Sequence, residues 1–435
     1  MIKIIKANEL KSRCVIKETV DSAPLTNTVA GIIENIMKRG DEALHEYTKE
    51  FDGCDVSEFE LSKAVLDKAY ADVNKDFIRV MERAAKNIED FHRNQVSTGF
   101  DLLPKEGVIL GQKVTPINRV ACYIPGGSAP YISTVLMNSI PAKIAGVKEL
   151  IIATPPSAAA ALADAADDEF NGVDPRILAA AKIAGVDRVF SIGGAQAIAA
   201  LAYGTQSVPR VDKITGPGNA YVQEAKRQVY GVVGIDMIAG PSDILIIADK
   251  TADPVHIVAD MLSQCEHGED SYAVLVTDSM TLAKKVRAEI DVQISALSRK
   301  DIVKEAINNN SLIIVTSTIE DAFEIANERA PEHLEILLDE PFNYLSKVVN
   351  AGSIFLGKFT PETFGDYIAG PNHTLPTNGT ARFSSPLSVD DFVKKSSYTY
   401  YSDEALKTKG PDAVYFAKEE TLDAHALAVE KRLKG

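Results

Sequence analysis

The chain has 435 residues, of which 46% are hydrophobic and 25% charged, and it carries a formal net charge of -15. Its length and composition allow two or three sizeable hydrophobic cores, so we expect a folded, multidomain protein. The negative charge disfavours nucleic acids and anionic membrane surfaces as partners, and it favours cationic ligands.

The opening segment, MIKIIKANELKSRC, carries a charge every few residues and lacks the apolar region of a signal peptide. No later segment approaches the ~20 apolar residues that a membrane helix requires. The four cysteines, Cys14, Cys54, Cys122 and Cys265, have no CxxC spacing, which favours reduced thiols over a disulfide framework or a structural zinc site. These features predict a cytoplasmic protein with no membrane partner.

Apolar residues recur at helical spacing through residues 25–94, so we predict a mainly helical region that packs on a sheet. From about residue 114, short apolar runs alternate with helical segments, which is typical of parallel α/β layers. The predicted strands are Arg119–Ile124, Leu150–Thr154, Arg188–Ile192, Val211–Thr215, Asp243–Ala248, Tyr272–Thr277, Ser311–Thr316 and Gly352–Leu356.

We therefore predict an α/β fold with two incomplete Rossmann-like parallel-sheet domains, an N-terminal helical segment and a C-terminal helical tail. The alanine-rich and acid-rich stretch Ser157–Pro175 is interpreted as a surface excursion. Beyond Ser388 no strand alternation is visible, so we expect helices that dock elsewhere, including on a partner subunit. The predicted units are 1–20 (helical segment), 21–120 with 243–385 (first α/β domain), 121–242 (inserted second α/β domain) and 386–435 (helical tail).

The segment ADPVHIVADMLSQCEHGED predicts a helix that begins after the N-cap Asp253 and ends before Gly268. Gln264 and His267 then share one face of its last turn, where the helix dipole favours a cation. Half of a metal site and a solvated helix end are both compatible with this pattern.

Glu332 and His333 stand at a predicted helix-to-strand junction, directly after Pro331. A neighbouring carboxyl and imidazole suit stepwise proton transfer near neutral pH, although a surface pair at a strand entry gives the same pattern.

The stretch 357–388 has almost no continuous apolar run, and loops of this length in compact proteins are often functional. Within it, Asp366 could supply an oxygen ligand or form an Asx-turn, and His373 could bond to the backbone. In the tail, His425 shares a helical face with Leu422 and Val429. It either flanks a core or closes an active site together with Glu420.

Three glycine-rich junctions follow predicted strands, at 123–128, 193–196 and 216–219. Each could present backbone N–H groups to a pyrophosphate, although none is GxGxxG and tight turns also need glycine.

Eight segments, taken together and in order, resemble the histidinol dehydrogenase family from about residue 20 to the end. They are CYIPGGSAPYISTVLMNSIPAKIAGV, GGAQAIAALAYGT, KITGPGNAYVQEAKRQVYG, IDMIAGPSDILIIAD, LSQCEHGEDS, APEHLEI, AGSIFLGKFTPETFGDYIAGPNHTLPT and EETLDAHALAVEKRL.

The resemblance implies one Zn²⁺ per subunit, bound by Gln264, His267, Asp366 and His425. It implies that Glu332 and His333 are the acid/base pair and that Tyr123, Gln196 and Asn219 contact NAD. Substrate contacts are expected from Ser242, Glu420 and His333 and from the four zinc ligands.

The implied reaction is the four-electron oxidation of L-histidinol through L-histidinaldehyde to L-histidine, the end of histidine biosynthesis. The implied assembly is a homodimer in which Glu420 and His425 of the tail complete the partner's site. A related dehydrogenase of a small non-imidazole alcohol, such as sulfopropanediol, is the alternative. An anionic sulfonate would require a basic residue near the substrate, whereas Glu420 favours a cation.

Overall fold

The computed structural model describes residues 2–10, 23–126, 130–157 and 170–434, which form two six-stranded sheets, helical layers and a small antiparallel sheet. No helix in these ranges is long and apolar enough to cross a bilayer. The strands are β1 (Lys3–Lys6), β2 (Glu60–Leu61), β3 (Phe100–Lys105), β4 (Val108–Pro116), β5 (Arg119–Tyr123), β6 (Glu149–Thr154), β7 (Arg188–Ser191), β8 (Lys213–Thr215), β9 (Gly234–Ile235), β10 (Asp243–Ala248), β11 (Tyr272–Thr277), β12 (Leu312–Val315), β13 (His333–Leu337), β14 (Ser353–Leu356) and β15 (Val393–Tyr401).

The helices of the described ranges connect these strands and cover their faces, with short 3-10 turns and the π-helical turn Thr48–Asp52 between them. They are α1 (Ala23–Arg39), α2 (Asp41–Tyr47), α3 (Lys63–Asp72), α4 (Lys75–His92), α5 (Ile132–Ala145), α6 (Pro175–Ile183), α7 (Gly194–Tyr203), α8 (Ala220–Val229), α9 (Pro254–Cys265), α10 (Met280–Ile294), α11 (Lys300–Asn309), α12 (Ile319–Arg329), α13 (Thr363–Tyr367), α14 (Asp403–Glu419) and α15 (Asp423–Leu433).

The first sheet has the order β1-β12-β11-β10-β13-β14, and all of its strand pairs are parallel. Its central strands are continuous apolar runs because both faces are covered. Along β10, Ile244 and Ile246 pack with α9, α10 and α11, whereas Leu245 and Ile247 pack with α12.

The second sheet has the order β2-β7-β6-β5-β8-β9, and only the edge strand β2 is antiparallel to its neighbour. Side chains alternate between its faces along β5. Val120 and Cys122 pack with α3, α4, α5 and α6, and Ala121 and Tyr123 pack with α1, α2, α7 and α8.

The predicted α/β class with two parallel sheets is therefore confirmed, and the eight predicted strands all form. Two features of the predicted organisation differ from the structure. Residues 3–6 form a strand paired with β12 instead of a helix, and α1 to α4 pack on the second sheet, although residues 21–120 were assigned to the first. Helical periodicity shows that a face must be buried, but it does not identify the sheet that buries it. Residues 11–22, and most of the stretch interpreted as a surface excursion, lie outside the described residues.

The tail is not helical throughout, because β15 pairs with β4 over nine residues in an antiparallel sheet completed by β3. We call residues 100–116 with 393–433 the arm, and the other described residues the body. None of its described residues belongs to the four large hydrophobic clusters of the body. Several of its large apolar side chains are exposed, among them Leu103, Tyr415 and Phe416.

Phe190 of β7 is fully buried in the cluster beneath α1 and α7. We expect Phe190→Ala to lower the free energy of unfolding by about 3–5 kcal/mol, because it removes apolar contacts and leaves a cavity. The matched control is Phe383→Ala, whose side chain is 82% exposed; it should change stability by less than about 0.5 kcal/mol. Urea denaturation followed by circular dichroism measures both, and equal effects would contradict this packing.

Candidate active site

A cleft of about 630 Å³ lies where the two six-stranded sheets face each other. The second sheet contributes its carboxyl edge, through Tyr123 at the end of β5 and Gly216 after β8. The first sheet contributes its amino edge, through Ser242 before β10 and His333 at the start of β13. Loops and helix ends from both halves therefore meet in one space.

Glu332 and His333 lie at this amino edge because β13 pairs in parallel with β10, with His333 opposite Ile244. Asp243 is the residue that fixes both. Its N–H donates to Glu332 Oε2 at 2.9 Å, and its Oδ1 accepts from the Glu332 N–H at 3.1 Å. Its carbonyl oxygen lies 2.9 Å from His333 Nδ1. Since a carbonyl can only accept, Nδ1 carries the hydrogen and Nε2 keeps its lone pair.

Burial controls the protonation of both groups. It lowers the pKa of His333 to about 4, with further lowering by His267 and His373, so the imidazole is neutral at pH 7. Burial raises the pKa of Glu332 well above its ordinary value, and the negative charge of Asp243 raises it further. At neutral pH, the His333 imidazole therefore keeps a free lone pair that can accept a proton, and the raised pKa of Glu332 makes its carboxylate more basic.

The side chain of Glu362 orients the amide of Gln264, a buried residue on the last turn of α9. Gln264 Nε2 donates to Glu362 Oε1 at 2.5 Å. The amide oxygen, Gln264 Oε1, is buried and makes no hydrogen bond. An orphaned buried acceptor of this kind is costly unless a cation or a donor reaches it.

The surroundings of Gln264 suit a cation. His267 and Asp366 both line the cleft, and burial raises the pKa of Asp366 to about 7. The negative charge of Asp366 also helps to raise the pKa of Glu362, after the effect of burial. An amide oxygen, an imidazole and a carboxylate form a donor set that suits zinc, so these three residues fit the metal that the resemblance implies.

Within the described part of one chain, no group of three His, Cys, Asp or Glu side chains forms a metal site. Of the three residues that suit zinc, only His267 and Asp366 are of these types. The third, Gln264, would bind through its amide oxygen. Glu420 and His425 are exposed on the arm and do not line the cleft of their own chain.

The residues expected at NAD lie near the carboxyl edge of the second sheet. Tyr123 and Asn219 line the cleft. The buried Gln196 does not line it; a Cβ at Gly194 would lie 2.4 Å from its Oε1. Gly194 N donates to the Tyr123 hydroxyl at 3.1 Å, and this bond links Tyr123 to the helix start that carries Gln196. Both amide atoms of Gln196 are buried without partners, and such atoms are available to a ligand.

Sequence reasoning missed Asp243, which reads as the first residue of an apolar strand, and Glu362. It also left His373 open as a loop residue bonded to backbone. The structure places His373 in the cleft, with Nε2 3.2 Å from Ser133 Oγ. The available signal for Asp243 was a charged residue at the start of β10, directly before a continuous apolar run.

Comparison with known proteins gives consistent results. The family model for histidinol dehydrogenase matches residues 16–433. A histidinol dehydrogenase of Clostridium acetobutylicum is 50% identical over 414 residues, covering 95% of this chain and 94% of the relative. One of Streptococcus mutans is 51% identical over 416 residues, covering 96% and 94%. A crystal structure of histidinol dehydrogenase from Elizabethkingia anophelis matches with a TM-score of 0.89 at 39% identity, covering 97% and 94%.

The depressed pKa values of His333 and His373, both about 4, give a testable result for metal-free protein. Neither ring should titrate between about pH 5 and 8, whereas both should titrate near 6.5 when the protein is unfolded. Stability should fall as the pH is lowered from about 6.5 to about 4, because the unfolded chain takes up these protons first. Histidine-selective ¹⁵N NMR measures the titration, and a midpoint near 6.5 in folded protein would refute the assignment.

Proposed function

This chain belongs to the histidinol dehydrogenase family and is an oxidoreductase, and from this we propose that it oxidises L-histidinol through L-histidinaldehyde to L-histidine with zinc and NAD. The observation that carries the proposal is the bond between His333 Nδ1 and the Asp243 carbonyl, which leaves a neutral base facing the cleft. Family membership supports L-histidinol as the substrate. The positions of Glu332 and His333 in the cleft support the proton transfers that the oxidation requires.

In the first oxidation, His333 Nε2 accepts the proton of the substrate hydroxyl as the adjacent carbon loses a hydride. NAD, when bound, supplies the hydride acceptor. The fixed tautomer means that the imidazole needs no rearrangement before it accepts the proton. The cleft walls keep the aldehyde in place for the second step.

In the second oxidation, Glu332 accepts a proton from the water that adds to the aldehyde, and the hydrate then loses its hydride. The sum is histidinol, two NAD⁺ and water giving histidine, two NADH and three protons. Burial raises the pKa of Glu332, which makes its carboxylate a stronger base towards the attacking water.

Gln264, His267 and Asp366 of one chain would hold the zinc, with His425 of a second chain as the fourth ligand. When bound, zinc would fix the imidazole and amino group of the substrate, so that its hydroxymethyl group reaches the base. Glu362 keeps the Gln264 amide oxygen available by occupying its Nε2.

The charge of the cleft favours a cationic substrate. Its described lining contains Asp270, Glu332 and Asp366 and no lysine or arginine, and its fourth acidic residue, Asp236, is paired with the buried Lys226. An anionic sulfonate would have no side-chain counter-charge here, which counts against a sulfopropanediol substrate. Histidinol carries an amino group and an imidazole and no anionic group. Ser242 and Glu420 are its proposed further contacts.

The dinucleotide is proposed to lie along the carboxyl edge of the second sheet, in contact with Tyr123, Gln196 and Asn219. Parallel sheets bind ligands at this edge, where helix N-termini and loops converge. The unpartnered amide of Gln196 supports this position.

A homodimer would explain the arm. Glu420 and His425 are exposed and do not line the cleft of their own chain. The arm also exposes large apolar side chains such as Tyr415, Phe416 and Leu427. Exposed apolar surface of this kind marks an interaction site. Docking of the arm on a second copy would bring Glu420 and His425 to the other cleft.

The buried cysteines Cys122 and Cys265 are free thiols. Burial raises the pKa of Cys122 and of Cys265 to about 12, so neither is a reactive thiolate. Free thiols fit a reducing compartment, and we propose that the protein works in the cytoplasm.

The first test is the stoichiometry of NAD reduction by zinc-loaded protein given L-histidinol. We expect about two NADH per histidinol, because oxidation of an alcohol to a carboxylate removes two hydrides. A chelator should abolish the reaction and zinc should restore it. One NADH per histidinol would limit the reaction to the alcohol step, and no NADH from folded protein would refute the proposal.

Glu332→Gln should separate the two steps. The variant keeps the shape of the side chain but cannot accept a proton, so oxidation of histidinaldehyde should fall by about 10²–10⁴-fold. Oxidation of histidinol to the aldehyde should fall much less. His333→Ala is the contrasting variant, and it should lose the alcohol step while still binding zinc. Single-turnover kinetics with each substrate measure the split, and equal losses in Glu332→Gln would exclude a role in water activation.

A further inference from the structure

Lys226 of α8 and Asp236 after β9 form an ion pair whose side chains are 0% and 1% exposed. Asp236 borders the cleft, whereas Lys226 lies behind it. Removal of two charges from water is costly, and well-packed apolar residues often replace such a pair without loss of stability. Its presence therefore calls for a role other than stability.

The pair binds both backbone polar groups of one residue, Gly216. Lys226 Nζ donates to the Gly216 carbonyl oxygen at 2.9 Å, and Gly216 N donates to Asp236 Oδ2 at 2.7 Å. A third hydrogen bond joins Lys226 Nζ to Asp236 Oδ1. Gly216 is thus held from both sides by two opposite charges that also hold each other.

Gly216 needs this restraint because its backbone is unusual. Its φ is +110°, and a Cβ at this position would lie only 2.1 Å from the carbonyl oxygen of Tyr123. The chain therefore passes very close to the end of β5 in a conformation that other residues avoid. A small change in this backbone would move the residues next to it in the chain.

Gly216 begins the loop of residues 216–219, which lines the cleft. The far end of this loop is anchored by neutral bonds: the Asn219 side chain caps α8 by accepting from Tyr221 N and Val222 N, and Gln223 Nε2 donates to the Gly218 carbonyl oxygen. Its near end depends on the ion pair alone for side-chain support among the described bonds.

We propose that Lys226 and Asp236 are positioning residues for the dinucleotide, which hold the 216–219 loop where Tyr123 and Asn219 can contact NAD together. This inference rests on the proposed function, because that is where Tyr123 and Asn219 are assigned to NAD. Neither charged group reacts. The pair acts through Gly216, and its effect falls on nucleotide binding.

The test compares wild-type protein with K226M/D236L, which replaces both charges by apolar side chains, and with D236N, which keeps the shape and one acceptor. The matched control is R119M, which breaks the Arg119–Glu149 ion pair at the amino edge of the same sheet, 2.5 Å between Nε and Oε2. NADH affinity is measured by fluorescence titration, KM for NAD and for histidinol by steady-state kinetics, and folding by thermal melting.

We expect K226M/D236L to melt near the wild-type temperature yet to bind NADH about tenfold or more weakly, with KM raised for NAD and not for histidinol. D236N should show the same selective change, and R119M should show none. Folded variants with NADH affinity within about twofold of wild type, or an equal rise in both KM values, would overturn the proposal. Loss of folding in both variants would assign the pair a purely structural role and would also overturn it.

The NADH titration keeps this result distinct from failure of the proposed function. If wild-type protein binds NADH but does not oxidise histidinol, the substrate assignment fails and the role of the pair is still measured. If wild-type protein is active and the variants bind NADH normally, only the role of the pair fails.

Discussion

The pairing of β10 with β13 is the constraint on which the site depends. Parallel register places Asp243 beside Glu332 and His333, and one aspartate then serves three purposes with its N–H, carbonyl and carboxylate. The carboxylate also accepts from the Tyr272 hydroxyl of β11 at 3.1 Å, which extends the network across three strands. The candidate acid/base residues are therefore as rigid as the sheet that carries them, and preorganisation of this kind favours catalysis.

The parts of the fold that depend on local pattern could be predicted from the sequence. The runs that became β5 and β10 have the length and composition of buried strands, and the helical periodicity of residues 25–94 reflects a real buried face. The sheet that receives these helices could not be predicted, because both sheets offer apolar faces. β15 was missed because its side chains are polar and exposed, and pairing with β4 stabilises it through the backbone.

For the candidate site as well, some residues could be predicted from the sequence, whereas the contacts between them could not. Resemblance identified residues at eight separated segments, and the structure brings His267, Glu332, His333 and Asp366 to one cleft. It could not reveal that Glu362 turns the amide of Gln264, or that Asp243 fixes the tautomer of His333, because these roles depend on contacts between residues 98 and 90 positions apart. Burial raises the pKa of Glu332 and of Asp366, so a bound cation would stabilise the charged forms of these carboxyl groups. The 216–219 loop, which contains no charged residue, remains for the nucleotide.

The arm has a genetic consequence if it completes the site of a second copy. A chain defective in the body residue His333 and a chain defective in the arm residue His425 would each be inactive alone. In a mixed pair, the intact body of one chain would meet the intact arm of the other, so one of the two sites would be whole. Two recessive alleles of this gene could thus restore each other in one cell, and alleles that fall on the same side of this division could not.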